Sequence, residues 1–442
     1  MSLLYSLCSS ALALLLLPLL LLFASRKKHR RRMGLRLGWG LTGQLAQFSA
    51  SAAPTFWVHA LSVGEVTSAL PLVRGLRQAF PRARIVFSAT TSAGGAVARS
   101  LLSPHVDALI AAPLDLGPVV PFFLRTIRPD LFLLVETDFW PHWLHCLARQ
   151  NIPTFLVNGR ISARSFTRYQ RYACFFRPMF RSLTLMSMQT DADAAKMVAL
   201  GIEPKKVVAL GNLKFDTSQV IGRQKDYETI AIHKERYGFA VAPPLWICGS
   251  THRGEEETIF RVYRRLREDS ADLQLLLAPR NIERAGEIVA LAGRHHLACR
   301  RWSTDRDSRG PLLILDTIGE LAGCYAMADA VFVGGSLVPE GGHNPIEPAA
   351  TAVPVVFGPH MEDFAEIAEE LIRCGGAGRV DSEDSLHAIL RHILTEPTLR
   401  RAMAEAAQAY VQANRGVVRR HLEAIDSLLA GKSAAGNTPW TG

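Results

Sequence analysis

Residues 56–89 read FWVHALSVGEVTSALPLVRGLRQAFPRARIVFSA, and this stretch decides the fold. An apolar run, Phe56–Ala60, precedes a helical pattern over Glu65–Phe80 and a second apolar run, Arg84–Ala89. Apolar residues recur along the helical pattern at intervals of one, three or four positions, so that they share one face: Val66, Ala69, Leu70, Val73, Leu76 and Phe80. A strand, a helix and a strand in this order predict a βαβ unit with parallel strands.

The same alternation runs through most of the chain. Buried strands are predicted first at Phe56–Ala60, Arg84–Ala89, Asp107–Ala111, Leu131–Glu136, Thr154–Asn158, Thr184–Gln189 and Val207–Leu210. After a polar stretch, residues 217–241, further strands are predicted at Leu245–Cys248, Leu273–Ala278, Leu312–Leu315, Ala330–Val333 and Val353–Phe357. Continuous apolar strands separated by helices are typical of parallel sheets covered on both faces. We therefore predict an α/β fold with two Rossmann-like domains, residues 50–220 and 240–432, whose sheets face a cleft.

Length and composition agree with two domains and exclude several protein classes. The chain has 442 residues, more than one hydrophobic core usually serves, and 48% of them are hydrophobic, which excludes a disordered chain. Seven lysines and arginines between positions 26 and 36 account for most of the net charge of +10. The rest of the chain is nearly neutral, so no nucleic-acid partner is expected.

The N-terminus carries a long uncharged segment. Residues 3–25 contain no charged side chain and are long enough to cross a hydrocarbon core of about 30 Å as a helix. The basic run RKKHRRR follows this segment, whereas a cleaved signal peptide would carry its positive charges before it. We predict a single-pass membrane anchor with its basic collar, residues 1–32, against anionic headgroups and the remaining chain on the cytoplasmic side. Pro18 leaves open a helix that only dips into the bilayer.

Charged residues that follow the first set of strands are candidates for catalysis, because ligands of open α/β sheets bind outside the carboxyl ends of the strands. Glu65 lies in the first turn after the first strand, Glu136 and Asp138 end the fourth, and Lys214 follows the seventh. Three of them have a simpler interpretation, which leaves Glu136 as a better functional candidate than Asp138. Glu65 could only complement the helix dipole, Asp138 could cap a helix that starts near Phe139, and Lys214 could be a solvated surface residue.

The second set of strands ends in residues suited to a nucleotide. Arg280 follows the strand Leu273–Ala278, and the turn Gly249–Thr251 precedes a helix whose first amides could bind a phosphate. Four glycines (Gly334, Gly335, Gly341 and Gly342) lie in a loop where backbone could approach a ligand closely. Asn344 and Glu347 beyond this loop resemble a capping box, but the carboxylate also suits the hydroxyls of a ribose.

Several common fingerprints are missing from the sequence. There is no HExxH, no GxxxxGK[ST], no CxxC, and no GxGxxG after a predicted strand. The histidines near strand ends, His59, His142, His252 and His343, have no metal-ligand spacing. We therefore expect no metal and no other cofactor.

Taken together, these motifs resemble a known family, the 3-deoxy-D-manno-octulosonic acid (Kdo) transferases of lipid A biosynthesis, glycosyltransferase family 30. The resemblance covers nearly the whole chain. The motifs that carry it are HALSVGE (59–65), ETDFWP (136–141), NGRISARS (158–165), LGNLKFD (210–216), GSTHRGEE (249–256), PRNIER (279–284), DTIGEL (316–321) and FVGGSLVPEGGHNPIEPAA (332–350). The sequence departs from the family where it has Asp138 instead of a second glutamate, and Asn281 and Ile282 instead of histidine and proline.

The resemblance implies a GT-B fold and an inverting transfer of Kdo from CMP-Kdo to the lipid A precursor lipid IVA at the inner membrane. It implies Glu65 as general base, with Glu136 and Lys214 as stabilisers of the transition state. The CMP contacts that it implies are Pro279, Arg280, Ile318, Gly319, Glu320, Asn344, Pro345, Ile346 and Glu347.

The sequence leaves two other functions open. One is a membrane-associated GT-B enzyme that uses a different nucleotide sugar. The other is a non-catalytic nucleotide-binding module, for which the acids at Glu65 and Glu136 would be dispensable. The candidate residues Glu65, Glu136, Lys214 and Arg280 are all present, which favours an enzyme.

Overall fold

The computed structural model describes residues 27–46, 53–136, 138–216 and 227–436. The chain divides into two compact units. The first comprises residues 1–217 and 416–442, and the second comprises residues 218–415. Each unit contains a seven-stranded parallel sheet with helices packed against it.

The sheet of the first unit has the order β3-β2-β1-β4-β5-β6-β7. Its strands are β1 Thr55–Ala60, β2 Arg84–Ala89, β3 Ala108–Ala111, β4 Leu131–Val135, β5 Thr154–Gly159, β6 Leu185–Met188 and β7 Val207–Ala209. Successive side chains of a strand point to opposite faces of the sheet. Phe56 and Leu133 accordingly belong to one buried core, while Trp57 and Phe132 belong to another, so that both faces are covered.

The helices of this unit fill the connections between the strands. They are Lys27–Arg36, Leu41–Leu45, Val63–Ala79, Ser92–Leu101, Val119–Ile127, Pro141–Arg149, Ala163–Arg171, Ala173–Arg181, Asp191–Ala199 and Val417–Gly436, with 3₁₀ turns at Pro204–Lys206 and Leu213–Asp216.

The sheet of the second unit has the order β10-β11-β9-β8-β12-β13-β14. Its strands are β8 Leu245–Thr251, β9 Gln274–Pro279, β10 Arg300–Arg301, β11 Leu312–Ile314, β12 Ala330–Val333, β13 Val355–Phe357 and β14 Ala377–Arg379. Its helices are Tyr227–Arg236, Glu255–Asp269, Ala285–Arg294, Leu321–Cys324, Ile346–Ala350, Ala365–Arg373, Glu383–Thr395 and Pro397–Ala413, with 3₁₀ turns at Ile282–Arg284, Tyr325–Met327 and Glu362–Phe364.

The twelve strands predicted from the sequence are all present, with ends that differ by three residues or fewer. The helix predicted over Glu65–Phe80 spans Val63–Ala79 and buries the predicted face, with Leu72 rather than Leu70 in the core. The two strands that were missed, β10 and β14, are two and three residues long and lie at the sheet edges. Such short segments carry too little periodicity to be recognised.

The C-terminal end of the second domain differs from its predicted position at residue 432. The chain leaves the second unit at residue 415, and helix Val417–Gly436 packs on the first unit. The carboxylate of Asp216 accepts hydrogen bonds from the amides of Gly416 and Val418, at 3.0 and 2.7 Å. Val417 and Ile425 are fully buried in the core beside β1 and therefore hold the helix in place.

The predicted membrane anchor falls largely on residues 1–26, which lie outside the described residues. Among the residues that are described, no helix is long and apolar enough to cross a membrane. The end of the basic collar is part of the first unit. The Arg36 side chain donates to the carbonyls of Ala112 and Pro113 just beyond β3, and Arg32 donates to the carbonyl of Thr90 just beyond β2.

Candidate active site

In the first sheet, the connections run in opposite directions on the two sides of the β1–β4 pair. Strands β2 and β3 continue on one side, and β5 to β7 on the other. Such a switch point is where open α/β sheets bind ligands, at the carboxyl ends of the strands. Glu65 lies in the first turn after β1, and Glu136 directly follows β4. The topology therefore brings both predicted acids to this edge.

Glu65 is held by the start of helix Val63–Ala79. Ser62 is the N-cap, and its hydroxyl accepts the Glu65 amide at 3.4 Å. The Glu65 carboxylate in turn accepts the amide of Leu61. Only 7% of Glu65 is exposed, and burial, together with the charges of Glu136 and Asp138, raises the pKa of its carboxyl to about 8 despite that hydrogen bond. Glu65 thus helps to order the helix start and is also a strongly perturbed acid, as expected at functional sites.

Glu136 adopts an unusual backbone conformation, with φ of 60° in the left-handed region. Asn158 on the neighbouring strand β5 has the same φ, and its Nδ2 donates to Glu136 Oε1 at 3.2 Å. Residues other than glycine cost free energy in this region, and such residues cluster at active sites. Burial raises the pKa of Glu136, although Lys214, Asn158, Arg160 and the hydroxyl of Ser68 oppose that shift.

Lys214 is positioned by a chain of amide side chains. Asn158 Oδ1 accepts the Leu213 amide at 3.0 Å, and Asn212 Oδ1 accepts the Lys214 amide at 3.0 Å. Asn212 is itself held by Gln189, at 2.9 Å between Nδ2 and Oε1. The positive charge of Lys214 lowers the pKa of Glu136, which places the two groups close enough to interact. The first unit therefore brings Glu65, Glu136 and Lys214 to one edge of its sheet.

Asp138 does not cap the following helix, which starts at Pro141 rather than near Phe139. The carboxylate of Asp115 fills that role by accepting the amides of His142 and Trp143, at 3.1 and 2.7 Å. Asp138 instead bonds to His59, with 3.0 Å between Oδ2 and Nε2. Burial tends to raise the pKa of Asp138, but the hydrogen bonds and attraction from His59 outweigh it and the pKa is lowered. Asp138 is therefore an ionised partner of a fully buried histidine.

The second sheet has its own switch point, between β8 and β12. Here a buried carboxylate, Glu255, accepts four backbone amides: His252 and Gly335 at 2.8 Å, and Ser336 and Leu337 at 3.0 Å. Glu255 is 0% exposed. The His252 amide, just after the turn Gly249–Thr251, and three amides of the loop after β12 are thus already satisfied by the protein. Ser250, two residues before His252, also has a φ of 58°, in the left-handed region.

Two histidines flank the same loop. The Nε2 atoms of His252 and His343 lie 2.8 Å apart and the rings are nearly parallel. Burial, followed by the charges of His252 and Arg280, lowers the pKa of His343 to about 4. Arg280, which comes directly after β9, is exposed and close enough to act on His343. This edge of the second sheet combines the exposed guanidinium of Arg280 with two adjacent imidazole rings, of which His343 has a lowered pKa.

The remaining predicted CMP contacts lie on two loops of the second unit. Ile318 is 85% exposed, and Gly319 has a φ of 90°. The Glu320 carboxylate is bonded to Trp302 Nε1 at 3.0 Å and to the hydroxyl of Thr317, so it serves the loop itself. Pro279, Pro345 and Ile346 are buried.

The predicted capping box is not formed. Asn344 Oδ1 accepts the Ile346 amide at 3.0 Å, but Glu347 accepts the side-chain amide of Asn344 at 3.3 Å rather than a backbone amide. Burial raises the pKa of Glu347. Its carboxylate is therefore not committed to the backbone of the helix start.

The glycines of residues 334–342 are explained by packing within the protein. A Cβ atom on Gly334 would lie 2.4 Å from the carbonyl oxygen of Ser250, and one on Gly342 would lie 2.4 Å from Met361 Sδ. Gly335 and Gly341 adopt positive φ angles of 67° and 85°. The expectation that these glycines leave room for a ligand is not supported, because protein atoms already occupy that space at Gly334 and Gly342.

Comparison with known proteins identifies the family. Residues 31–217 match the family described as "3-Deoxy-D-manno-octulosonic-acid transferase (kdotransferase)". The chain is 33% identical over 430 residues to the 3-deoxy-D-manno-octulosonic acid transferase of Haemophilus influenzae, with 95% of this chain and 98% of that protein covered. The chain belongs to the Kdo transferase family. A second transferase of the same name, from Bordetella pertussis, is 32% identical over 87% of this chain and 90% of that protein.

Solved structures show the fold of this Kdo transferase. A glycosyltransferase from Rickettsia africae superimposes with a TM-score of 0.54 over 86% of this chain and 99% of that one, at 14% sequence identity. A UDP-GlcNAc 2-epimerase from Neisseria meningitidis gives a TM-score of 0.58 over 84% of this chain and 100% of that one, at 11% identity. The two parallel-sheet units therefore have the GT-B architecture.

Sequence reasoning missed several polar groups that build the transferase's sites. The most important are Ser68, Asn158 and Glu255, none of which was singled out. Asn158 is the last residue of the predicted strand Thr154–Asn158, just as Glu136 is the last residue of the predicted strand Leu131–Glu136, and this position was the available signal. Glu255 stands in the run Glu255–Glu257 at a helix start, where nothing local separates a buried carboxylate from solvated ones. Within the described ranges, no group of three His, Cys, Asp or Glu side chains is placed to hold a metal ion.

Proposed function

We propose that this Kdo transferase moves Kdo from CMP-Kdo to lipid IVA with inversion at the anomeric carbon, and that Glu65 is the general base. The observation that carries the proposal is the pairing of two perturbed carboxyls, Glu65 and Glu136, at the switch point of the first sheet. Burial raises the pKa of both carboxyls, as is common for acids at functional sites.

In the proposed reaction, a hydroxyl of the acceptor sugar attacks the anomeric carbon of Kdo. Its proton passes to the Glu65 carboxylate as the new C–O bond forms, and the bond between that carbon and the CMP phosphate oxygen breaks. A pKa near 8 makes ionised Glu65 a stronger base than an ordinary carboxylate. One base suffices because the leaving phosphate needs no proton, in contrast to the carboxylate pair of a glycosidase.

The second requirement of the reaction is stabilisation of the negative charge on the departing CMP. We assign Lys214 to stabilise this charge and Glu136 to hold Lys214 and the reacting sugar in place. The side chains of Asn158 and Asn212 accept the amides of Leu213 and Lys214, so the backbone that carries Lys214 is fixed in advance. Electrostatic catalysis is most effective from such preorganised groups.

The second unit would supply the donor contacts. We place Arg280 and the neighbouring histidines on the negative groups of CMP-Kdo. We place the carboxyl of Glu347, which also accepts the side-chain amide of Asn344, on the ribose hydroxyls. The exposed Ile318 side chain offers a face for the cytosine, and Gly319, Glu320, Asn344, Pro345 and Ile346 complete the contacts mainly through backbone. Pro279 orients Arg280 at the end of β9.

We also propose a location at the cytoplasmic side of the inner membrane, with the uncharged segment before residue 26 as a single-pass anchor. The test is deletion of residues 1–26, which leaves the described helix Lys27–Arg36 intact. The truncated protein should lose membrane association in cell fractionation while it still transfers Kdo to detergent-dispersed acceptor. A folded but inactive truncated protein would assign the segment a role beyond tethering.

The decisive experiment on function uses the purified full chain with lipid IVA and CMP-Kdo, and mass spectrometry of the lipid. We expect the lipid to gain the mass of Kdo, in the presence of a metal chelator as well as without it, since neither metal nor another cofactor is proposed. A parallel reaction with UDP-N-acetylglucosamine should give no product. Transfer from that donor instead, or transfer that stops with chelator, would contradict the proposal.

A further inference from the structure

The first unit contains a cavity of about 900 Å³ beside the candidate base. It lies at the carboxyl ends of β2 and β3, between helix Lys27–Arg36 and helix Ser92–Leu101. Pockets for small ligands commonly have this volume. Nothing in the proposed mechanism uses it.

The lining of this cavity includes both apolar side chains and arginines. Its floor is apolar, with Phe87, Ala98 and Ile110 among the lining residues, and three guanidinium groups, those of Arg31, Arg32 and Arg99, line it as well. No carboxylate of the described residues forms an ion pair with any of the three. Arg32 donates to the carbonyl of Thr90, which leaves most of its donors available.

Arg36, in the same helix as Arg31 and Arg32, adds to the positive charge of this region. Burial lowers the pKa of Arg36, and the charge of Arg32 lowers it further. Arg31, Arg32 and Arg99 gather positive charge at the cavity, which favours binding of an anion, whereas the charge of Asp138 partly offsets the lowering at Arg36. Arginine also presents a planar fork of donors that suits phosphate oxygens.

The cavity is connected to Glu65 by two hydrogen bonds. The amide of Thr91, which lines the cavity, donates to the Leu61 carbonyl at 3.0 Å, and the Leu61 amide donates to the Glu65 carboxylate. Gly94 packs against the same loop, since a Cβ atom there would lie 3.3 Å from the carbonyl carbon of Ser62. A ligand held in the cavity is therefore next to the loop that carries the base.

We infer that this cavity, which we call the arginine pocket (Arg31, Arg32, Arg99 and the apolar floor), binds a phosphate group of the glycolipid acceptor. The inference rests on the proposed function, because it concerns the acceptor of the same reaction. The guanidinium groups would bind the phosphate, and the apolar floor would contact the adjoining sugar or acyl chain. The pocket would thereby position the acceptor hydroxyl and select for phosphorylated lipids.

The test compares the double variant Arg31→Gln/Arg99→Gln with the matched control Arg82→Gln. Arg31 and Arg99 are exposed, so their replacement should leave the fold intact, and equal melting temperatures would verify this. Arg82 is an exposed arginine near the opposite, amino end of β2. Each protein is assayed in neutral detergent with lipid IVA and with the same lipid after removal of its phosphates.

We expect the double variant to raise KM for lipid IVA by about tenfold or more with kcat nearly unchanged, because each lost contact is a hydrogen bond between charged groups. The control should behave as wild type, and all three proteins should use the dephosphorylated lipid equally poorly. An equal loss with both lipids, or no loss, would overturn the inference.

Anionic phospholipids of the bilayer also carry phosphate groups to which these arginines could bind. A defect that is absent in detergent and appears only in phosphatidylglycerol vesicles would assign the arginines to the bilayer surface and overturn the inference. If wild type transfers no Kdo to lipid IVA, the proposed function fails. Direct binding of the two lipids to wild type and the double variant, measured by calorimetry, then still decides whether the arginine pocket recognises phosphate.

Discussion

The two units share one architecture, but a buried glutamate at the same place in the fold has different hydrogen-bond partners in each. In both, the first strand of the parallel sheet, β1 or β8, lies beside a later strand at a switch point, and a glutamate lies at the start of the next helix. Glu255 of the second unit accepts four backbone amides. Glu65 of the first unit accepts the Leu61 amide and lies near two further carboxylates.

This difference separates an acid that holds the backbone in place, Glu255, from an acid that is available for proton transfer, Glu65. The oxygens of a carboxylate that accepts four backbone amides are already used to hold the backbone in place. A carboxylate that is buried with few donors holds its proton more tightly and becomes a base of raised pKa. Position in the fold is therefore insufficient to assign a role, and the number of hydrogen-bond donors around each group decides it.

The largest effect is expected at Glu65. Glu65→Gln keeps the shape and the acceptor for the Leu61 amide but removes the base, so single-turnover transfer should fall by about 10²–10⁴-fold. Binding of CMP-Kdo, measured by calorimetry, should be unchanged, and the melting temperature at neutral pH should not fall. Nearly normal transfer by a correctly folded Glu65→Gln protein would move the base to Glu136.

Glu255 should behave in the reverse manner. Glu255→Ala leaves four amides without their acceptor, two of them (Gly335 and Ser336) buried, which should cost about 3 kcal/mol or more of stability and lower the melting temperature markedly. Its neighbour provides the control, because Glu257 is exposed and pairs only with Arg261 on the helix surface, so Glu257→Ala should change little. If both variants melt alike, the contrast between the two units is wrong.

Replacement of Lys214 should mainly lower turnover, whereas replacement of Arg280 should mainly weaken donor binding. Lys214→Ala should lower kcat by about 10²-fold, because its charge is proposed to act on the departing phosphate. Arg280→Gln should raise KM for CMP-Kdo by about tenfold with a smaller change in kcat. Steady-state kinetics with varied donor gives both numbers, and an effect of Lys214→Ala confined to KM would reassign it to ground-state binding.

The last expected effect is a gradual pH dependence set by Glu65. Because folding raises the pKa of Glu65 from 4.5 to about 8, the folded protein binds more protons than the unfolded chain between these values. The contribution to stability is therefore full below pH 4.5 and is lost as pH rises to about 8, by at most about 1.4 kcal/mol per pH unit. Activity should rise over the upper part of the same window as the base ionises.

Melting temperatures of wild type and Glu65→Gln across this range provide the measurement. The wild-type curve should fall relative to that of the variant as pH increases, and Glu257→Gln should track wild type. Parallel curves for wild type and Glu65→Gln would show that the pKa of Glu65 is not raised.

Much of the fold followed from local pattern. The apolar strands and the helix after β1 were predicted because periodicity and burial are linked along a single element. The order of the strands within each sheet depends on pairings between strands that are not consecutive, such as β1 with β4. The return of helix Val417–Gly436 to the first unit depends on contacts across more than 200 residues, such as that between Asp216 and Val418. No local pattern reports a contact of that range.

The sequence by itself determined the α/β class, the strand-ending acids Glu65 and Glu136 and the resemblance to Kdo transferases, because strand ends and motifs are local properties. Only the tertiary structure decided that Asp138 pairs with His59, that Glu255 is filled by amides while Glu65 is left with a raised pKa, and that Arg31 and Arg99 line one cavity. The physical reason is that a side chain's charge state depends on its burial and on donors brought from distant parts of the chain.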